Sequence, residues 1–458
     1  MIFSKEELSE IFGQSVAYDV EGISINSDDV KIGDLFVALV GERTDGHNFI
    51  QNALGAGAVL AISEKHITGV GADRIVMVKS STNALLTLAK YNAANSRARY
   101  VGVTGSIGKT TVKDLIYHLL SGRTMLRDKI YVTKRNFNSQ IGLPLCAATM
   151  PKDVKFGIFE MGMSVAGEIR KLLEVIQPSI SIISQICEAH LEFFNSVWDI
   201  AAAKSEIFET VNAQEAAIIP ADSPYTDFLK RRAQENRIRN IFTFGSEGSD
   251  ANVLKQEYIN NCFSIEAEIL GTKIEYRICH KNISLINNSL PAILAAHILS
   301  GEPLQKLACE MTSFSPATRR GECFYLKNLD IFLMDDTYNA CPTSLKSAIQ
   351  SIAVTHRDRR KVLIVGNMLE LGKDSVHYHR NLSATVDKFG IDVVFACGSL
   401  AKHLFDNLRD CKKGAWCENS AELAEKIPGG IQKGDCVLVK GSNSMKMNCL
   451  GDVLKNLE

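Results

Sequence analysis

What is scarce in this 458-residue chain narrows its class before any motif is considered. No apolar run approaches the roughly 18 residues that a membrane-crossing helix requires, so no spanning segment is expected. Excess charge is missing too: 51 Lys and Arg stand against 52 Asp and Glu, a formal net charge of −1. Such a balance favours neither a nucleic-acid surface nor an anionic membrane. The densest basic run, Arg357-Asp-Arg-Arg-Lys361, leads into an apolar strand and reads as a solvated loop. Cysteine occurs twelve times, but never as C-x-x-C and never in a Cys/His cluster at zinc spacing. Thiols scattered in this way are expected to be reduced, in a cytosolic compartment. The opening MIFSKEELSE has neither an apolar signal core nor the look of a transit peptide. There is no low-complexity tail and no internal repeat. The expectation is a soluble, cytoplasmic, globular protein.

What is present divides into three textures, in line with a prior of roughly 150 residues per domain. Residues 1–97 carry short apolar stretches, DLFVAL, AVLAIS and RIVMVK, between Gly-rich turns, and end in the polar segment NAANSRA at 92–98, a candidate linker. Residues 98–314 open with the strand YVGVT and the loop GVTGSIGKTT. Val112, Leu115, Ile116, Leu119 and Leu120 then recur at helical spacing. FGIFEM and ISIISQI are apolar throughout, as strands of a buried parallel sheet are, whereas FSIEAEILGTKIEYRI alternates like an appended hairpin. Residues 315–458 alternate strand and helix, the rhythm of a doubly wound parallel sheet.

The loop carries the first chemistry. Strand, Gly-rich turn and helix N-terminus together aim backbone N–H groups at an anion. The full phosphate-loop pattern asks for glycine where Val103 stands, so the surviving core is Gly105-x-x-Gly108-Lys109-Thr110. In that core Lys109 reaches phosphates and the Thr110 hydroxyl sits on Mg²⁺. Glu160 ends a predicted strand, where open α/β sheets place ligand groups and where a hard cation needs oxygen. His190 follows the next strand, and Lys204 lies on the Ala-flanked helix WDIAAAKSEIF. As isolated residues, a structural histidine and a solvated lysine are the simpler readings. Asp335 and Asp336 end another strand, and VGNMLELG and VKGSNSMKM are further strand-end loops able to open on the same face.

Taken in order, TGSIGKTT, RNFNSQIGLPL, EMGMSVAGEI, EAHLEFF, AAAKSEIF, ATRRGE, MDDTYNACPTS, GNMLELG and KGSNSMKM resemble the signature elements of the Mur ligase family over essentially the whole chain. These are ATP-dependent, amide-forming enzymes of peptidoglycan synthesis. The resemblance implies an α/β chain of three domains. A small N-terminal α/β domain at 1–97 would bind the UDP-sugar end of the substrate. A central P-loop mononucleotide-binding parallel sheet at 98–314 would bind ATP. A C-terminal Rossmann-like doubly wound sheet at 315–458 would close on ATP and bind the incoming dipeptide. DDTYNACP, GNMLELG and GDLFVALVGERTDGHNF are versions of the motifs belonging to members that join D-alanyl-D-alanine to UDP-N-acetylmuramoyl-tripeptide.

By the same resemblance, Gly105, Ser106, Gly108, Lys109, Thr110 and Thr111 would hold the nucleotide phosphates, and the short form of the loop is normal. Thr110 and Glu160 would hold one Mg²⁺. Lys204 matches a carbamylated lysine that would join His190 and Glu160 on a second. Asn287 would meet the adenine, with Arg320 and Asp336 closing on phosphate and ribose. Lys440 and Asn339 would face the amino-acid side, Ser27, Asp45, Gly46 and His47 the UDP-sugar, and Asn136 and Asn138 the central substrate loop. A monomer is expected.

The chain departs from the family pattern at Asp28, where arginine is usual after Ser27, and at NFNS, where N-x-N-N is usual. Leu290 replaces a second asparagine, NACP with Cys341 replaces NANP, and Asn443 takes a commonly basic position. None of these removes a metal or phosphate ligand. Two other readings stay open: another amino-acid ligase of the family, including the polyglutamate-adding ones, and a P-loop ATPase or GTPase switch.

Overall fold

A computed structural model describes residues 1–122 and 127–456. The first sheet is β1 (Gly22–Ser24), β2 (Asp34–Val37), β3 (Leu60–Ser63) and β4 (Ile75–Met77), parallel and in that spatial order. Every residue of β2 and β3 is buried, as a sheet covered on both faces demands. The polar stretch expected to be a linker is half helix, because Ser81–Ala94 runs through its start. Asn92 is polar for a packing reason: its buried amide donates to the Ala147 and Met150 carbonyls at 2.9 and 2.8 Å. One apolar core therefore runs from Leu85 and Leu88 to Leu143 and Met150.

The middle sheet comprises β5 (Arg99–Thr104), β6 (Ile130–Val132), β7 (Phe156–Glu160), β8 (Ile180–Ile183), β9 (Ala216–Pro220), β10 (Asn240–Gly245), β11 (Ala251–Ile259), β12 (Cys262–Ile269) and β13 (Thr272–Ile278). Its order is β13-β12-β11-β10-β9-β8-β5-β7-β6, parallel from β11 to β6 and antiparallel beyond. The alternating segment forms the expected hairpin, with β11 joining it to the parallel part. The five apolar residues spaced along the helix Lys109–Ser121 are all fully buried. Register carries the site: Val103 pairs with Glu160 and Thr104 with Ile183, so the loop after β5 leaves beside the ends of β7 and β8.

The third sheet comprises β14 (Glu322–Leu326), β15 (Ile331–Asp336), β16 (Lys361–Gly366), β17 (Val393–Cys397), β18 (Lys413–Cys417) and β19 (Cys436–Lys440). The order is β14-β15-β19-β16-β17-β18, with only β14 antiparallel to its neighbour. Asp336 pairs in register with Lys440 at the carboxyl ends of β15 and β19. In the basic run, Arg359 and Arg360 are not free in solvent: they pair with Asp330 and Asp435.

The expectation of wholly reduced thiols is corrected at one place. Cys262 and Cys279 are joined by a disulfide. The register Phe263↔Ile278 sets the two cysteines opposite each other at the end of the β12–β13 pair, which their separation of 17 residues does not advertise. The other ten cysteines are free. Among the described residues no helix is long and apolar enough to cross a membrane.

Candidate active site

The loop after β5 needs both of its glycines. Gly105 has φ +149° and Gly108 φ +84°, conformations that side-chain-bearing residues rarely adopt. A Cβ on Gly105 would lie 2.0 Å from Ser184 Oγ, and one on Gly108 would lie 2.7 Å from Asn288 Oδ1. Val103, where the longer pattern has glycine, is instead a fully buried strand residue. The loop is clamped to the end of β8. Ser106 N–H donates to the Gln185 carbonyl at 2.6 Å, its hydroxyl donates to the Cys187 carbonyl at 3.0 Å, and Ser184 Oγ donates to the Ile107 carbonyl at 2.6 Å. Lys109 folds over the turn, donating from Nζ to the Gly105 and Ser106 carbonyls at 2.6 and 3.2 Å. A close-approach backbone, a helix N-terminus and a lysine curled above it fit a polyphosphate.

Thr110 opens that helix and donates its hydroxyl to Glu160 Oε2 at 2.6 Å, while Asn138 Nδ2 donates to Glu160 Oε1 at 2.7 Å. Glu160 is buried, with its charge met by these two donors. A hydroxyl and a carboxylate at this spacing suit a hard, oxygen-seeking cation. Lys204 is only 1% exposed, and among the described residues no acceptor pairs with its Nζ. Burial first, then the nearby Lys109 charge, hold its ammonium well below the ordinary lysine range. Lys109 is lowered as well, again chiefly by burial. His190, with φ +59°, sits on the loop after β8, and its Nδ1 lies 2.6 Å from Glu370 Oε2 in the loop after β16. Among the described residues no three His, Cys, Asp or Glu side chains form a ready metal cage.

The third sheet supplies the opposite wall. Lys440 Nζ donates to Asp336 Oδ2 at 2.5 Å and to the Asn339 carbonyl at 2.8 Å. Burial raises the Asp336 carboxyl, against the pull of Lys440 and Arg320. The Arg320 guanidinium lies 3.6 Å above the Tyr338 ring, a stacked cation held at the cavity edge. Both walls enclose a cavity of about 790 Å³. Ser106, Gly108, Lys109, Thr110, Thr111, Asn138, Glu160, His190, Asn287, Arg320, Asp336, Asn339 and Lys440 all line it. Lys204 and Gly105 are not among the lining residues.

The N-terminal candidates are elsewhere. His47 is buried: Nδ1 is 2.6 Å from Asp45, while Nε2 accepts the Glu64 N–H at 3.0 Å. Asp45, held low chiefly by Lys65, also caps the turn at Gly46–Phe49. A Cβ on Gly46 would lie 2.7 Å from the Leu39 carbonyl oxygen. These three residues shape their own loop. Ser27 begins a short turn whose Asp29 meets Arg135 at 3.5 Å, beside the exposed Asn136. Sequence reasoning did not single out Glu370, Asn282, Asn288 or Tyr338. Glu370 and Tyr338 lie inside the strand-end motifs GNMLELG and MDDTYNACPTS, and Asn288 adjoins Asn287; nothing in the local pattern marks Asn282.

Family models match in the same order as the sheets: Mur ligase family, catalytic domain, over residues 19–96; Mur ligase middle domain over 103–296; and Mur ligase, glutamate ligase domain, over 319–443. A UDP-N-acetylmuramoyl-tripeptide–D-alanyl-D-alanine ligase of Rickettsia prowazekii is 32% identical over 455 residues, 99% of each chain. The chain belongs to the Mur ligase family. This Mur ligase also superposes on MurF from Acinetobacter baumannii with a TM-score of 0.87, at 26% identity over 99% of both chains. A second similar structure, MurF from Thermotoga maritima in complex with ADP, gives a TM-score of 0.81 at 28% identity, covering 95% of this chain and 97% of that one.

Proposed function

We propose that this chain is the ATP-dependent ligase that joins D-alanyl-D-alanine to UDP-N-acetylmuramoyl-tripeptide, giving UDP-N-acetylmuramoyl-pentapeptide, ADP and phosphate. The observation that carries the reading is one cavity walled by the glycine loop with Lys109, by the Thr110–Glu160 pair and by the Asp336–Lys440 pair of a different sheet. The relative from Rickettsia prowazekii, aligned end to end, supports the choice of substrates.

The chemistry follows from charge. A carboxylate resists attack by an amine because oxide is not a viable leaving group. In the proposed route a carboxylate oxygen of the tripeptide attacks the γ-phosphorus of ATP, and the bond from that phosphorus to the ADP oxygen breaks. The amine of D-alanyl-D-alanine then adds to the acyl carbon of the acyl phosphate, loses a proton, and phosphate departs with the C–O electron pair. The residues must bring two anions together, so Lys109 and the loop N–H groups hold the polyphosphate. Arg320 and Asp336 approach phosphate and ribose from the third sheet, and Lys440 and Asn339 line the amine side. Thr110 and Glu160 would hold Mg²⁺, which would supply positive charge to the transferring phosphoryl group.

A second Mg²⁺ is part of the proposal, held by Glu160, His190 and a carbamate on Lys204. Burial disfavours the Lys204 ammonium, and addition of CO₂ to the neutral amine would replace it with a carboxylate ligand. Domain roles are proposed likewise: 1–97 for the UDP-sugar, 98–314 for ATP, and 315–458 closing on ATP and binding the incoming dipeptide. The test is ADP release measured with UDP-muramoyl-tripeptide, with and without D-alanyl-D-alanine, and with neither. Sustained release only when both are present is expected. Equal release with neither would fit an ATPase switch and overturn the reading.

A further inference from the structure

Two free, buried cysteines face each other across the junction of the middle and third sheets. Cys187 lies in the loop after β8, and Cys341 precedes the helix Pro342–Thr355; their sulfurs are 3.9 Å apart although 154 residues separate them in sequence. We propose that Cys187 and Cys341 form a modification site at which a hydroperoxide oxidises the pair to a disulfide, tying the phosphate loop's support to the third sheet.

The surroundings hold both sulfurs in place. Cys187 is pinned by reciprocal bonds to Ser106 of the glycine loop: its N–H donates to Ser106 Oγ at 3.1 Å and its carbonyl accepts from the same hydroxyl. Cys341 is pinned as a helix cap, its N–H donating to Ser344 Oγ at 3.0 Å and its sulfur accepting from the Ser344 N–H. Beside the pair, Thr343 donates to Glu188 Oε2 at 2.9 Å, so the same two segments are aligned by a second contact. Bringing each sulfur inward by roughly 1 Å reaches the ~2.05 Å of a disulfide.

Access and reactivity differ between the two. Cys341 lines the cavity, whereas Cys187 sits behind it. A small peroxide entering the cavity meets Cys341 first. The Cys341 thiol is also drawn below the ordinary thiol range, chiefly by the hydrogen bond from Cys187 and, against the opposing effect of burial, by Ser344, which favours the reactive thiolate. In the first step the Cys341 sulfur attacks one peroxide oxygen, the O–O bond breaks, and hydroxide leaves and takes up a proton as water. In the second, the Cys187 sulfur attacks the sulfenic sulfur, the S–O bond breaks, and a second water leaves. Two thiols and one hydrogen peroxide thus give one disulfide and two waters.

The bond would join the residue that braces Ser106 to the residue that starts the helix of the opposite wall. A cavity whose walls cannot separate cannot exchange nucleotide and product freely. That consequence rests on the proposed ligase reading; formation of the bond does not.

The experiment treats the reduced, full-length protein with hydrogen peroxide, with and without ATP, and follows two readouts. Non-reducing peptide mapping should find the Cys187–Cys341 peptide pair, forming more slowly when ATP fills the cavity. ADP release should fall more than tenfold as that pair accumulates and return with dithiothreitol, while Cys187→Ser keeps its turnover under the same treatment. Absence of the linked pair while exposed Cys309 and Cys411 oxidise would overturn the site. A linked protein with unchanged turnover, or a Cys187→Ser variant inactivated as fast as the parent, would overturn the latch. Mapping of the parent chain decides the site if that variant does not fold. It decides equally if the reduced protein shows no ligase turnover, an outcome that would count against the proposed function alone.

Discussion

Substituting Gly105 by alanine tests whether the phosphate loop depends on backbone shape, and the cost can be worked out contact by contact. The new Cβ would stand 2.0 Å from Ser184 Oγ and 3.1 Å from the backbone N and O of Gln185. Ser184 cannot swing aside freely, because its hydroxyl meets the Thr104 and Ile107 carbonyls at 3.1 and 2.6 Å. Losing those contacts costs about 1 kcal/mol each. Holding alanine at φ +149° adds about 1–3 kcal/mol. The sum, about 3–5 kcal/mol, is either lost from stability or relieved by moving the loop out of its binding shape.

A displaced loop should weaken binding of ATP or ADP by on the order of 100-fold or more, read by titration calorimetry. The double variant separates the two contributions. In a Ser184→Ala background the 2.0 Å clash is gone, so Gly105→Ala should cost about 2 kcal/mol less than in the parent, leaving the positive-φ part. Wild-type nucleotide affinity and an unchanged denaturation midpoint in Gly105→Ala would refute the reasoning. Strict additivity of the two substitutions would refute the steric part of it.

Three further outcomes are expected. Lys204→Ala should lose at least 100-fold in ligase rate and recover part of it with added acetate or another short carboxylate; a variant that stays active would remove Lys204 from the site. Glu370→Ala frees the His190 ring from its 2.6 Å partner, so the magnesium concentration for half-maximal rate should rise about tenfold, with a smaller effect for Glu370→Gln. His280 and His356, each pushed from 6.5 to about 4 mainly by burial, make the folded chain bind fewer protons than the unfolded chain between those values. Their contribution is complete above pH 6.5 and is lost as pH falls through about 4, so the urea midpoint should drop across that window and do so less steeply when both are replaced by asparagine.

Periodicity made the sheets legible because each answers to a local rule. Apolar runs such as FGIFE and KVLIV became strands buried on both faces, and the alternating segment became a hairpin. The same rules misread Asn92. A polar residue in a polar stretch suggests solvent, yet its amide satisfies carbonyls in and just past the helix Gly142–Ala148, more than 50 residues away. The disulfide escaped for a related reason: cross-strand position depends on register, which spacing alone does not supply.

The site divides along the same line. Lys109, Thr110 and Glu160 lie at the start of a helix and the end of an adjacent strand, so one sheet's register brings them together and a motif can announce them. His190–Glu370, Cys187–Cys341 and Glu188–Thr343 instead pair two different sheets. Each partner lies in a strand-end loop or at a helix start whose own neighbours give no hint of the other. Only the docking of the third sheet makes these pairs, so their chemistry belongs to the assembled chain rather than to any one motif. The segment 187–192, which contributes to all three, also braces the glycine loop through Ser106. An event that shifts the third sheet can therefore reach the phosphate loop through that segment, and perturbing Glu188 or His190 should alter nucleotide binding even where the side chain does not touch the nucleotide.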